Sequence, residues 1–266
     1  MGIVAETNAG IAHTNLNLKK EIQIIMAENQ SSKHKEMTDK IREEKQKPKG
    51  PIKFQLQLND EQKIAKDKIL SNAITILSGK AGSGKTLLAC QVALDLLFKK
   101  SIQKIIITRP TVSKEEIGFL PGDLREKMEP WMQPIYANFY QLYNKEKIDE
   151  IIQNNTVEIV PVAFMRGRTF LDSFVIVDEA QNCTHEQMEM ITSRLGIRSK
   201  MVVCGDTQQV DLKSKGDSGF KFLLAAAKRV KDMDSMTLLQ NHGHPVVDAL
   251  LEEYDAFKTQ NNINKN

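Results

Sequence analysis

Eight consecutive residues, Gly79-Lys80-Ala81-Gly82-Ser83-Gly84-Lys85-Thr86, fit the pattern G-x-x-x-x-G-K-[ST] without a mismatch. These residue types at this spacing hold phosphate chains. Three glycines let the backbone close around oxyanions, because no Cβ stands in the way. The amides at the start of the helix that follows point inward, where the helix dipole favours negative charge. Lys85 is long enough to reach the β- and γ-phosphates of a nucleotide, and the Thr86 hydroxyl is a ligand for Mg²⁺. A second constellation is the acid pair Asp178-Glu179. Asp178 closes a run of apolar residues and can hold Mg²⁺ through water, while Glu179 can polarise an attacking water. Two adjacent acids in an apolar setting are costly without a cation nearby, and the phosphate loop predicts one. The third is Gly205-Asp206-Thr207-Gln208-Gln209. It places the Gln209 amide where it can sense a γ-phosphate by hydrogen bonding, although the same residues also make an ordinary turn.

The elements around these residues must bring them to one place. Ile74-Thr75-Ile76-Leu77 reads as a buried strand feeding the glycine loop, and Leu87 to Leu97 as the packed helix leaving it. Strand, glycine loop and helix in that order are the context a phosphate site requires. Further strands are predicted at Lys104 to Thr108, Val157 to Val160, Phe174 to Val177, Met201 to Cys204 and Met236 to Leu239. Ligands gather at the carboxyl ends of strands in an open α/β sheet, which sets Arg109, just past the second strand, against phosphates. Thr184 and Gln187 form a capping box for a helix running to Leu195 with Gly196 as its stop. A helix is expected from Ser218 to about Lys231, and another over 246–257 that covers the sheet. Asn59 and Gln62 have capping-box spacing too, and Gln62 has a rival role, reading an adenine edge through its amide. Trp131, Tyr136, Phe139, Tyr140 and Tyr143 share a helical face; core packing is the default reading and base stacking the alternative.

With 266 residues and 41% hydrophobic content, the chain has material for one sizeable domain and an appendage. Residues 1–53 carry ten Lys/Arg against seven Asp/Glu, and the remainder has 27 of each, so the whole excess of +3 lies in the leader. Such a basic segment is read as a flexible extension, with attraction of nucleic acid as its functional alternative. Order is expected from Phe54, one domain over 54–258, and a disordered tail over 259–266. Cys90, Cys183 and Cys204 lack metal or disulfide spacing, which suits a reducing cytoplasm, with Cys90 and Cys204 as core thiols. The start shows no secretory pattern, and no apolar run reaches the ~20 residues of a membrane span.

In order, Gln62, GKAGSGKT, TRP, GFLPGDL, RGRTF, VIVDEAQN, GDTQQ and SGF resemble the PhoH family of P-loop ATPases, relatives of the superfamily-one helicase core, over about Asn59 to Leu250. The resemblance implies a RecA-like α/β domain, a mostly parallel sheet with helices on both faces. It also implies a cytoplasmic protein that hydrolyses ATP with Mg²⁺ and assembles as a homo-oligomeric ring such as a hexamer, acting on or with RNA or single-stranded nucleic acid. It gives Gly79 to Thr86 to the triphosphate, Asp178 and Glu179 to magnesium and water, and Gln209 to sensing. Arg109, Arg166 and Arg168 would face nucleotide or nucleic acid. The family's Arg-His-Pro is here Gly243-His244-Pro245, so an arginine finger must come from elsewhere. A neighbouring subunit's Arg166 or Arg168 is the expected donor. Two other functions are weighed: a nucleotide-switched interaction module with slow hydrolysis, and a ribonuclease or nuclease partner.

Overall fold

The structure is a computed structural model. It describes residues 54–110, 124–212, 215–242, 244–247, 249–250, 253–254 and 256–257, with the side chains of 124–131 and 215 left aside. The leader, most of GFLPGDL, Trp131 as a side chain, Gly243 and the tail lie outside them.

Helix α1 (Asp60–Ser71) starts on the predicted capping box: Gln62 N–H donates to Asn59 Oδ1 at 2.7 Å, and Asn59 N–H donates to Gln62 Oε1 at 3.2 Å. Strand β1 (Ile74–Gly79) follows, then α2 (Lys85–Phe98), β2 (Lys104–Thr108), α3 (Leu124–Leu142), α4 (Lys145–Gln153) and β3 (Val157–Ile159). The chain continues through β4 (Ser173–Val177), α5 (His185–Thr192), β5 (Lys200–Gly205), α6 (Gly219–Ala226) and β6 (Met233–Leu238).

The six strands form one sheet in the order β3-β2-β4-β5-β1-β6, and every pairing is parallel. Parallel sheets are covered on both faces, so their strands are apolar almost throughout; β4 is buried at every position and β2 at all but its first. Alternate side chains feed two cores. Leu77, Ile105, Ile107, Phe174, Ile176 and Val202 meet α1 to α4 on one face. Ile76, Ile106, Val175, Val177, Met201 and Val203 meet α5 and α6 on the other. This is the expected RecA-like α/β architecture, with β5 inserted between the strand that feeds the phosphate loop and the strand that ends at Asp178.

Of the aromatics expected on one face, Phe139 is fully buried, Tyr140 and Tyr143 pack partly buried against the same core, and Tyr136 is half-buried. Tyr143 lies just past the end of α3, its ring tilted against Phe98 with centroids 4.9 Å apart. Tyr140 donates to Asp149 Oδ1 at 2.6 Å, which holds its hydroxyl pKa up at about 12. Three boundaries and one placement differ from expectation. Helix α5 stops at Thr192, not Leu195, because Arg194 and Gly196 are used elsewhere: Phe170 N–H donates to Arg194 O, and Gly196 N–H donates to Phe170 O at 2.8 Å. Helix α6 stops at Ala226, where Arg229 and Val230 N–H both turn back to the Ala226 carbonyl. That early stop lets β6 begin at Met233, before the expected Met236. Residues 246–257 do not cover the sheet where they are described: Val246, Leu250 and Phe257 are each more than half exposed.

Candidate nucleotide site

The phosphate loop joins β1 to α2, and its shape depends on glycine at two points. Gly84, the N-cap of α2, has φ 80°, and Gly82 has φ 82°. A Cβ on Gly82 would come within 2.3 Å of Asn241 Oδ1. Helix α2 begins without a side-chain cap and without an acid in its first turn, whereas α1 and α5 each have a capping box. Its leading N–H groups are therefore left to an outside acceptor, which is how an anion site is made. Lys85 Nζ curls back onto the loop, donating to Gly79 O at 2.7 Å, Lys80 O at 2.8 Å and Ser83 Oγ at 3.3 Å. Those loop oxygens hold the ammonium over the cradle.

The parallel sheet brings the acid pair to the same edge. Thr86 Oγ donates to Asp178 Oδ1 at 2.6 Å, across 92 residues of sequence. Asp178 is 7% exposed, and burial pushes its carboxyl up, with the Thr86 hydrogen bond opposing. A buried carboxylate that needs a positive partner fits a divalent cation. Among the described residues no group of three or more His, Cys, Asp or Glu gathers for a metal. The hydroxyl and carboxylate match the sparse protein ligation of Mg²⁺, whose remaining sites go to phosphate and water. Glu179 sits in the left-handed region at φ 50°. Its Oε2 accepts from Gln181 Nε2 at 2.6 Å, and its Oε1 lies 3.5 Å from Arg109.

These groups share a cleft of about 600 Å³, within the range of small-molecule sites. Gln62, Ala81, Gly82, Gly84, Lys85, Thr86, Arg109, Asp178, Glu179 and Gln209 all line it. Arg166 and Arg168 do not. Arg166 is exposed, and Arg168 makes a two-pronged pair with Glu158 at 2.8 and 3.0 Å and lies over the Phe170 ring. Of the two roles weighed for Gln62, its contacts show the cap: its Oε1 accepts from Asn59 N–H, while its Nε2 lies beside Gly84 and 3.3 Å from His242 Nε2.

Sequence reasoning missed Leu56, Leu58, Asn138, Gln141 and His242, which also line the cleft. His242 belongs there because β6 pairs with β1, and the segment after β6 folds back so that His242 N–H donates to Gly82 O at 3.1 Å. Nothing local in the sequence marks it. Cys90, Cys183 and Cys204 are all buried, as expected of Cys90 and Cys204, and burial pushes their thiols up, that of Cys183 to about 12.

A family model described as PhoH-like protein matches residues 56–255. The chain is 40% identical over 190 residues to a PhoH-like protein of Synechocystis sp. (strain ATCC 27184 / PCC 6803 / Kazusa), covering 70% of this chain and 58% of that one. It is 41% identical over 183 residues to a PhoH-like protein of Bacillus subtilis (strain 168), with coverages of 66% and 56%. It therefore spans little more than half the length of these curated relatives. Among solved structures, a Pif1 helicase from Candida albicans aligns at 18% identity and TM-score 0.38, covering 70% of this chain and 40% of that one. The large terminase of bacteriophage D6E aligns at 10% and 0.44, covering 68% and 46%. The fold assignment stands on sheet order and loop placement rather than on those superpositions. No helix among the described residues is long and apolar enough to cross a membrane. With the family pattern matched over most of its length and the phosphate loop and acid pair on one sheet edge, the chain belongs to the PhoH-like protein family.

Proposed function

We propose that this chain binds ATP with Mg²⁺ and hydrolyses it, in an oligomer that acts on or with RNA. The observation that carries the reading is the 2.6 Å hydrogen bond from Thr86 to Asp178, which holds the loop hydroxyl and the strand-end carboxylate as one ligand pair. The loop amides and Lys85 bind the triphosphate, and Gln62 meets the base. When bound, Mg²⁺ offsets charge on the β- and γ-phosphate oxygens. Glu179, adjacent to Asp178 and 38% exposed as a side chain, orients and deprotonates the attacking water. Gln209 hydrogen-bonds the γ-phosphate.

A lone domain leaves one side of this cleft open. Arg109 is the arginine that lines it among the described residues, and it faces Glu179. An arginine finger is worth ~10³–10⁵ in rate, so a subunit alone turns over slowly and a neighbour supplies the missing guanidinium. Exposed Arg166 suits that task better than Arg168, which Glu158 engages. The same observation favours a second reading, a nucleotide-switched module whose slow hydrolysis times partner binding. Turnover measured with and without single-stranded RNA, over a salt series, separates them. Stimulation that fades with salt supports the RNA-acting ATPase, and turnover indifferent to RNA supports the switch.

A further inference from the structure

The short 3₁₀ turn Ala180–Asn182 follows the acid pair, and its side chains reach across to the next strand end. Gln181 is 1% exposed. Its Nε2 donates to Glu179 Oε2 at 2.6 Å, and its Oε1 accepts from Asp206 N–H at 3.0 Å. The two partners fix the amide orientation, since a carboxylate accepts and a backbone N–H donates. Asn182 repeats the stitch one residue on. Its Oδ1 accepts from Asp211 N–H at 2.8 Å, and its Nδ2 donates to Asp211 Oδ2 at 3.3 Å. Ser218 Oγ closes the far end by donating to Gln181 O at 2.8 Å. The segment bound this way, 206–211, carries Gln209.

A buried glutamine is expensive unless both ends of its amide are satisfied. Leucine would fill the same space without that requirement. Glutamine here does something leucine does not: it joins the carboxylate proposed to activate water to the backbone of the loop proposed to sense the γ-phosphate. Through these two bonds a shift of Asp206 N–H would pass to the amide and from it to the Glu179 carboxylate. Arg109 lies 3.5 Å from the other oxygen of that carboxylate, which is thus contacted from both sides.

We infer that Gln181 is a positioning residue that couples the Gln209 loop to Glu179, so that Glu179 takes its working position only when the loop has engaged a γ-phosphate. The inference rests on the ATPase reading of the site. Its reach is the timing of hydrolysis, not the affinity for nucleotide, because Gln181 is not part of the cleft wall.

The test uses the full chain and two variants. Gln181→Leu removes both hydrogen bonds. Gln181→Glu keeps the acceptor for Asp206 N–H and replaces the neutral amide donor by a second carboxyl, which repels Glu179 or shares one proton with it and so disturbs the same carboxylate; it serves alone if the leucine variant does not fold. Each should lower kcat by ~10–100-fold, the usual cost of losing a residue that orients an active group, with KM for ATP within about threefold of wild type. Hydrogen exchange supplies a readout without turnover. In wild type, Mg²⁺ with a non-hydrolysable ATP analogue should slow exchange in 79–86, 179–183 and 205–212. In Gln181→Leu, and equally in Gln181→Glu, protection should persist in 79–86 and 205–212 and fail in 179–183. If a folded variant keeps wild-type kcat and the 179–183 response, the coupling is overturned while the ATPase reading stands. If the analogue leaves 79–86 unprotected in wild type, both fall.

Discussion

Lys85 holds its ammonium against the carbonyls of Gly79 and Lys80, where an incoming phosphate would find it already aimed. On the proposed ATPase reading, the charge serves binding and the carboxylate of Glu179 serves chemistry. Lys85→Ala should therefore abolish ATP binding in a direct titration, whereas Glu179→Gln should bind ATP normally and lose turnover by several orders of magnitude. Loss of binding in both would show that these roles are misassigned. A different pair sets a structural expectation. The Arg168 guanidinium on Glu158 holds that carboxyl below its ordinary value of 4.5. A lowered acid stabilises the fold above its unfolded-state pKa and ceases to do so as pH falls through the folded-state value. Arg168→Ala should thus lower the urea midpoint at pH 7, and the gap to wild type should shrink below about pH 4.5. A gap that stays constant down to pH 2 would assign the loss to packing on Phe170 instead. The Gly79–Thr86 loop and Asp178-Glu179 were legible in the sequence because each is a contiguous run directly after a strand-like apolar segment. Gln181 and His242 were not, since their roles depend on partners that only the strand pairing supplies.

Helix α1 shows how one local motif orients a distant group. The capping box commits Asn59 Oδ1 and Gln62 Oε1 to backbone N–H groups, so both side-chain amides present NH₂ outward. The Asn59 amide lies 3.2 Å from His242 Nε2 and the Gln62 amide 3.3 Å from it. Two donors on one ring nitrogen make that nitrogen the acceptor and put the imidazole proton on Nδ1. Asn59→Ala should cost ~1 kcal/mol as a lost cap, seen as a melting-temperature drop of about 2–4 °C. It should also weaken ATP binding, although Asn59 does not line the cleft. An unchanged dissociation constant would confine the cap to stability. Capping chemistry was readable because its spacing is short. The end of α5 was not, because it is decided by the distant Phe170 backbone, which takes Arg194 O and Gly196 N–H, and the end of α6 is a local turn onto Ala226 that no capping residue marks.

At the scale of the molecule, the sheet was legible from six apolar runs, although their order was not, since periodicity says nothing of neighbours. An open cleft with Arg166 outside it predicts that ATP turnover per chain rises with protein concentration as subunits meet. A specific activity flat from nanomolar to micromolar protein, in a species shown by native mass to be monomeric, would remove the neighbour from the mechanism. The strand order carries one more consequence. Ile74 of β1 pairs with Met201 on one side and Met233 on the other, so the strand that launches the phosphate cradle is flanked by two segments the ribosome makes long after it. A nascent chain therefore displays the complete glycine motif before either strand that flanks its own has been translated.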